Sequence, residues 1–592
     1  MANFLLICDP DRDRAGRAAR RAGQRIAFLP GQEAHFVSAS EYSLVWTAAP
    51  AAPVAVHRAD RPGGADCVLF GEPHDDAGDP WTAAALAAAG GGGGSLNGYY
   101  AALLLDPRAG VRAEADALGL FPLYYWEQAG VLLVATSPAL FQCHPRFQPA
   151  PDWHGLAALL LTSGLVGGRT LWAGVRRLAP DHVLSWMPGG APREIPPAAP
   201  GAATPAPALD EAVREAVSLH GAFLRAGLRA SRDPGLLLSG GLDSRILAGL
   251  TVELGRRPAC VTFGRAGDLD AHCATLVART LELPQALIDV DPEKYLTFAN
   301  LSVRWEQLSG GLYAIPLGWN LAVSPPPVKI DRMVCGLTLD AVVGGPKLVA
   351  AAGRELSFEQ LRIGLLGYDR GRLDRLVAEP RLRTACEEVR GELLGQYQRE
   401  SAADHLREWR MNLAHRQRFA VGACAWRYSL FAWPVLPALD RRLLRLVGRL
   451  PYPLVENRRI QKQILITRFP ALARLALDRN YLDTAPLLGP PGSLGRDLRR
   501  RLVKSLHRCR AWLGCDPRFY VRTMEINSPG WRAVRSAAEQ ARATLRSFFH
   551  ARPLDEALPG AHATVRRLAD PIVHSTPLKN TVGLMLWMRR EA

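Results

Sequence analysis

Six consecutive residues carry the clearest chemistry in this chain: Ser239-Gly240-Gly241-Leu242-Asp243-Ser244. The two glycines let the backbone come close to an anion. The two hydroxyls can donate to one, and a helix starting here adds free N–H groups and the positive end of its dipole. Asp243 is the odd member, because a carboxylate beside a phosphate is repulsive unless a cation bridges them. Mg2+ does this well, held by one or two carboxylates together with phosphate oxygens. The bland alternative is a glycine turn with an N-cap serine. The whole hexapeptide, set between an apolar run and a helical segment, favours a pyrophosphate loop. No GxxxxGK[ST] occurs, so the loop is not of the Walker type.

Such a loop needs a strand before it and a helix after it. The pattern predicts strands over 235–238, 259–263, 286–290 and 333–335, with helices over 244–254 and 268–281. Strands alternating with helices imply a parallel, doubly wound sheet, whose ligands bind beyond the carboxyl ends of the strands. From about 350 to 592 the chain reads mostly helical and arginine-rich. The first part reads as strand-rich, with short apolar or aromatic runs at 99–106, 123–126 and 131–135 bounded by turns or charges. Between the two lies a Pro- and Ala-rich stretch, 187–209, expected to hold neither regular helix nor sheet. It divides the chain into 1–186, a linker at 187–209, and 210–592. Five glycines, Gly90 to Gly94, read as a flexible loop within the first part.

Composition sets wider bounds. The 592 residues suffice for about two to four domains. With 48% hydrophobic and 22% charged residues the chain is an ordinary globular one, not disordered or fibrous. The net charge is +16, but only six of the 72 basic residues are lysine. The arginine excess accompanies abundant Ala, Gly and Pro and reads as compositional bias rather than as a nucleic-acid footprint. The ten cysteines show no CxxC pair, so they read as reduced core residues rather than as a zinc or redox site. The N-terminal apolar run lacks a preceding basic segment, and no run of about 18 apolar residues occurs. A cytoplasmic protein without nucleic-acid or membrane partners is expected.

SGGLDS resembles the pyrophosphate loop of the asparagine synthetase superfamily, whose members cleave ATP to AMP and pyrophosphate. The resemblance continues along the chain. Gly336-Leu-Thr-Leu-Asp-Ala-Val-Val-Gly-Gly345 is similar to the family's GEGADELFGG loop, with Asp340 at its metal-binding aspartate. Trp433 to Asp440 resembles its RxPFLD segment with two inserted residues. Gln461-Lys-Gln-Ile-Leu465 resembles its EKxxLR segment, whose lysine contacts phosphate, which makes Lys462 the candidate charge stabiliser. Leu96-Asn-Gly-Tyr-Tyr100, Asp106, Asp116 with Gly119 to Tyr125, Ala135-Thr-Ser137 and Leu178 to His182 follow the order of the family's amidotransferase-like domain.

The resemblance thus implies an α+β, Ntn-type sandwich followed by an α/β doubly wound ATP-pyrophosphatase domain with a helical C-terminal part. It implies ATP as substrate over Leu238, Ser239, Gly240, Gly241, Asp243 and Ser244, with Gly336 alongside and Thr262 and Phe263 near the adenine. Mg2+ would be held by Asp243 and Asp340, and Asp243, Asp340 and Lys462 would be the catalytic residues.

Two departures bear on the function. A glutaminase of this family needs an N-terminal cysteine nucleophile, whereas this chain begins Met1-Ala2-Asn3 and Cys8 lies in an apolar run. Asparagine makers carry Glu, and β-lactam synthetases Tyr, where Leu337 stands. Leucine does no proton chemistry, so the acceptor must find another base or need little help, and an α-amino group fits the second case. An α-amino group, with a pKa of about 7.7–8.0, is far more often neutral at pH 7 than a lysine amine at about 10.4. The combination resembles the lasso-peptide macrolactam synthetases, which adenylate an Asp or Glu side chain of a precursor peptide and close an isopeptide ring with its N-terminal amine. A leader-peptide-binding protein and a leader peptidase are usual partners of that subgroup. The alternatives are a small-molecule amide ligase without glutaminase activity and a non-catalytic scaffold.

Other residues weigh less. Asp268 and Asp270 could touch ribose or metal, though helix capping is the commoner role. His272 reads as structural or surface. Trp305, Glu306 and Ser309-Gly-Gly311 lie before the Asp340 loop and could line an acceptor pocket. The segment from Arg496 to Arg510 has seven basic residues against one acidic, and a solvated helix face is favoured over a contact for an acidic leader.

Overall fold

The computed structural model describes residues 1–28, 31–60, 63–162, 164–198, 205–289, 299–310, 327–344, 367–400, 403–478, 484–489, 525–565 and 576–588, with short pieces between 501 and 521. Twelve strands occupy the first part: β1 (Ala2–Cys8), β2 (His35–Ser38), β3 (Ser43–Ala48), β4 (Val54–His57), β5 (Asp66–Gly71), β6 (Tyr100–Asp106), β7 (Gly110–Ala115), β8 (Tyr124–Gln128), β9 (Val131–Ala135), β10 (Arg176–Arg177), β11 (Val183–Trp186) and β12 (Arg193–Ile195). They form two six-stranded antiparallel sheets, ordered β10-β8-β9-β1-β3-β2 and β12-β11-β7-β6-β5-β4. Period-2 alternation explains how they stack. On β1, Phe4 and Leu6 point into the core shared with the second sheet, where Phe4 stacks on Phe70 at 4.9 Å, while Leu5 and Ile7 point into a second core. That second core also holds the helices Trp153–Leu161 and Pro380–Glu400.

A third sheet follows: β13 (Pro234–Leu237), β14 (Ala259–Phe263), β15 (Gln285–Ile288), β16 (Arg332–Val334) and β17 (Trp433–Val435). Every pairing in it is parallel, and the order is β15-β14-β13-β16-β17. The chain runs outward from β13 through β14 to β15, then returns to the other side of β13 for β16 and β17. The order therefore reverses between β13 and β16, the place where an open parallel sheet leaves a crevice beyond its strands. The helices Leu242–Glu253 and Leu269–Thr280 follow β13 and β14.

Three expectations need correction. The Pro- and Ala-rich stretch does hold sheet, since β12 pairs antiparallel with β11. Its anchor is Glu194, which accepts from the Tyr125 hydroxyl at 2.7 Å and from the Ala179 amide at 3.0 Å. The five-glycine run is not a loose loop. Gly90 ends the helix Ala83–Ala89 in the left-handed conformation, and the Gly92 N–H donates to the buried Glu114 carboxylate at 2.9 Å. The helix expected from 244 begins at Leu242, so Asp243 and Ser244 lie in its first turn. The segment from 350 is largely helical where described. No helix among the described residues is long and apolar enough to cross a membrane.

Candidate active site

The crevice is built on the loop after β13. Leu238 remains tied to the sheet, its N–H donating to Val261 O at 2.9 Å and its carbonyl accepting from Thr262 Oγ1 at 2.7 Å. The two serines spend their hydroxyls on the loop itself. Ser244 Oγ accepts from Ser239 N at 3.1 Å and lies 2.8 Å from Ser239 Oγ, which accepts from Gly241 N at 3.2 Å. The helix that follows has no side-chain cap, an arrangement in which helix N-terminal N–H groups can meet an anion. Gly240 fits because a Cβ there would lie 2.7 Å from Cys273 Cβ.

Behind the loop, Asp270 accepts from the Gly240 N–H at 2.8 Å. Burial, with the neighbouring Asp478 charge, pushes the Asp270 carboxyl up to about 7. Asp270 therefore holds the loop from behind. Asp268 is the N-cap of its helix by position, but its carboxylate accepts from Arg265 N at 2.7 Å rather than from the helix. His272 is exposed. Arg245, 1% exposed, reaches the carbonyls of Leu472 at 2.8 Å, Ala476 at 2.7 Å, and Gly240 and Leu475 at 3.3 Å. It fastens the loop to the segment after the helix Pro470–Ala473.

The two expected carboxylates meet on the other side. Gly336, at the end of β16, passes so close that a Cβ would lie 3.2 Å from Asp243 Cβ. Asp340 stands in the first turn of the short helix Leu339–Val342, entered through Thr338 in the left-handed conformation (φ 67°). One guanidinium joins the pair: Arg458 Nη2 is 3.2 Å from Asp340 Oδ2, and Nη1 is 3.8 Å from Asp243 Oδ2. Burial pushes the Asp243 carboxyl up; Arg458 opposes that rise and Asp340 adds to it. Asp243 Oδ1 is buried with no hydrogen-bond partner. A buried orphan oxygen beside a second carboxylate suits Mg2+, which takes one or two carboxylates plus phosphate oxygens and water. Among the described residues no group of three or more His, Cys, Asp and Glu that could hold a metal comes together.

Lys462 lies half-buried in the helix Arg459–Arg468, one turn beyond Arg458. Thr262 is buried and its hydroxyl also accepts from Gln285 Nε2 at 2.9 Å, so it clamps β14 to the loop. Phe263 stacks near Tyr428 at 6.4 Å. The Leu337 N–H donates to Cys335 Sγ at 3.4 Å, and its side chain packs against the main core. Trp305 is core, at 5.2 Å from the Trp426 ring and 5.4 Å from that of Phe28, with Arg427 over its face at 4.2 Å. Ser309 donates back to Glu306 O at 3.3 Å. Gly311, Gly345 and much of 496–510 lie outside the described residues. Among the described residues eight cysteines are buried and free, whereas Cys509 is exposed. Cys8 is buried in β1, and burial pushes its thiol up to about 12, away from the reactive thiolate form.

A cleft of about 540 Å³ lies elsewhere, lined among others by Pro149, Trp172, Phe548 and Trp587, and shares no residue with this site. Arg458, Gln461 and Arg245 were not legible as site residues in the sequence. In a chain so rich in arginine, two of them had no signal to stand out by.

Residues 208–320 match the asparagine synthase family. No curated protein is significantly similar to the chain. The matched stretch contains β13 to β15, the SGGLDS loop and the helices that follow β13 and β14, which is the half of the crevice that would receive the nucleotide. With that loop in place at the reversal of a parallel sheet, the match over 208–320 supports a synthetase-type domain similar to asparagine synthase, and the protein is an ATP-dependent carbon–nitrogen ligase.

Proposed function

We propose that this ligase is a peptide macrocyclase of the lasso-peptide type. It would adenylate an Asp or Glu side chain of a precursor peptide and join it to that peptide's N-terminal amine. The observation that carries this reading is Leu337. The loop that brings Asp340 to Asp243 presents an apolar side chain packed against the core where a proton-handling residue would assist a poorer nucleophile. The buried Cys8 supports it, because ammonia released from glutamine then has no obvious source in this chain.

In this reading residues 1–186 are a degenerate amidotransferase-like domain of Ntn type, 187–209 a linker and 210–592 the synthetase domain. The stack of two antiparallel sheets supports the first assignment. The protein would act in the cytoplasm with a leader-peptide-binding protein and a leader peptidase.

A carboxylate oxygen of the peptide attacks the α-phosphorus of ATP, and the bond to the β-phosphate oxygen breaks, giving an acyl-adenylate and pyrophosphate. Lys462 stabilises charge developing on the phosphates. Asp243 and Asp340 would hold Mg2+, which when bound neutralises the pyrophosphate. The peptide's amine nitrogen then attacks the acyl carbon, AMP leaves, and the amine's proton passes to solvent. Holding amine and adenylate together supplies a high effective molarity. Excluding water protects the adenylate from hydrolysis.

The test is pyrophosphate exchange into ATP with free Asp, free Glu, a carboxyalkyl amino acid and leader-free peptides bearing an internal Asp or Glu. Exchange with peptide alone, lost in Asp243→Asn, and a product lighter by one water are expected. Exchange with a free amino acid would overturn the reading in favour of small-molecule amide synthesis.

A further inference from the structure

Arg458 stands between the two acidic residues that the proposed function gives to a divalent cation. Its guanidinium spans them with two different nitrogens, at 3.2 Å to Asp340 and 3.8 Å to Asp243. Only the first of these is a hydrogen bond. The backbone holds the side chain there at a conformational cost. Asn457 (φ 53°, ψ 28°) and Arg458 (φ 57°, ψ 43°) are consecutive non-glycine residues in the left-handed region, immediately before the helix Arg459–Arg468. L-residues enter that region singly and reluctantly, and a pair persists where its surroundings enforce it.

The polar groups around the guanidinium are incompletely matched. Asp243 Oδ1, Arg458 Nε and Thr338 Oγ1 are buried without hydrogen-bond partners, and the buried Gln461 amide lies beside the Asp243 carboxylate. An arginine pairing with carboxylates in its preferred geometry makes two parallel bonds to one of them. Here the fork is split between two acids, and the nearby donors and acceptors are left over. A small hydrated cation could use what the guanidinium leaves unmatched, the buried Asp243 Oδ1 above all.

We infer that Arg458 is a tethered counter-ion that competes with the divalent cation for Asp243 and Asp340. The inference rests on reading those residues as the cation carboxylates. Arg458 holds the two loops together when no cation is bound, and the cation must displace it to enter. Cation alone therefore binds weakly, and the phosphates of the nucleotide are needed to tip the exchange.

The test is Mn2+ binding to the nucleotide-free full chain, read by electron paramagnetic resonance or calorimetry, together with melting temperature with and without Mn2+. Removing one positive charge from between two carboxylates in Arg458→Gln is expected to tighten Mn2+ binding about tenfold or more. The same variant should melt lower than the parent without Mn2+ and gain more on its addition. Arg458→Lys keeps the charge but cannot span both acids with separate nitrogens, so a smaller tightening is expected. It decides the matter should Arg458→Gln not fold. Unchanged or weaker Mn2+ binding in the folded variant overturns the counter-ion and leaves the carboxylate reading standing. Absence of Asp243→Asn-sensitive Mn2+ binding in both parent and variant overturns the two together.

Discussion

At the scale of single residues, Asp243 and Lys462 make separable demands. Asp243→Asn removes the charge of a buried carboxylate that faces Arg458 and Asp340, and pyrophosphate exchange should fall by about 10²-fold or more. Lys462→Ala should lower kcat by about 10²–10³-fold while the ATP KM moves only a few-fold, since a group that meets developing charge acts mainly in the transition state. Equal losses in kcat and affinity would argue that Lys462 only binds. Asp270 offers a pH test. Burial holds its carboxyl at about 7, above the ordinary aspartate value. Between those two values the folded state keeps a proton that the unfolded state has released, so stability falls as pH rises toward 7. Asp270→Asn keeps an oxygen for the Gly240 N–H and escapes this penalty. It should melt higher than the parent at pH 8, by an equivalent of about 1 kcal/mol or more, with the gap closing near pH 4. Thermal scans at several pH values check this, and a gap that does not depend on pH would refute it. Asp243 stood out in the sequence because Asp in a glycine loop is an unusual choice beside phosphate, whereas Asp340 was picked out only through the resemblance of its loop to GEGADELFGG. Asp270 was harder to assign, since the sequence does not reveal that the Gly240 N–H turns back to meet it.

Elements were legible to the extent that local pattern and tertiary need agreed. The strand over 259–263 and the one over 131–135 came out as read, because each is an apolar run with clear breaks. The helix after β13 started two residues early because Gly241 serves as its N-cap. The Pro- and Ala-rich stretch misled, because composition speaks for isolated chain, whereas an edge strand is made by its neighbour. Glu194, holding Tyr125 and Ala179, supplies the specificity that the prolines around it could not suggest. The same argument identifies Arg245 as the residue joining two distant elements. It is buried, its guanidinium held at about 10 by desolvation, and four carbonyls depend on it. Arg245→Met preserves apolar bulk but leaves those carbonyls without a donor, which should destabilise the fold by about 3 kcal/mol. Denaturant melts would show it, and pyrophosphate exchange should fall in parallel because the loop loses its tether to 472–476. A variant with parental stability would mean that water replaces the guanidinium.

Over the whole molecule, the strand-rich part and the ligase part are joined by shared apolar cores. Phe4, Leu6, Phe70 and Leu103 of the antiparallel sheets cluster with Leu236, Val334, Trp433 and Leu439 around the parallel one. Polar ties reinforce the seam where it passes under the site. Arg332 on β16, 8% exposed, makes a two-pronged pair with Glu72 at 2.6 and 2.7 Å. Trp433 on β17 donates to Tyr99 O at 3.1 Å, Trp426 donates to Ala2 O at 3.1 Å, and Arg441 N donates to Asn97 Oδ1 at 2.8 Å. Several of these partners fall in the segments that resemble an amidotransferase, such as Asn97 and Tyr99. Their contacts here give them a purpose that needs no glutamine chemistry, because they position the strands from which the active-site loops emerge. Cutting the covalent link and removing the first part should therefore have different results. Cleavage at a protease site engineered into 187–209 should leave the two pieces bound through size exclusion, with most pyrophosphate exchange retained. Expression of 205–592 alone exposes the shared core and strands buried charges such as Arg332, so it should yield aggregated or dye-binding protein without exchange activity. A soluble, active 205–592 fragment would show that the ligase half is self-sufficient, and the antiparallel sheets would then need a role in recognising substrate rather than in holding the site.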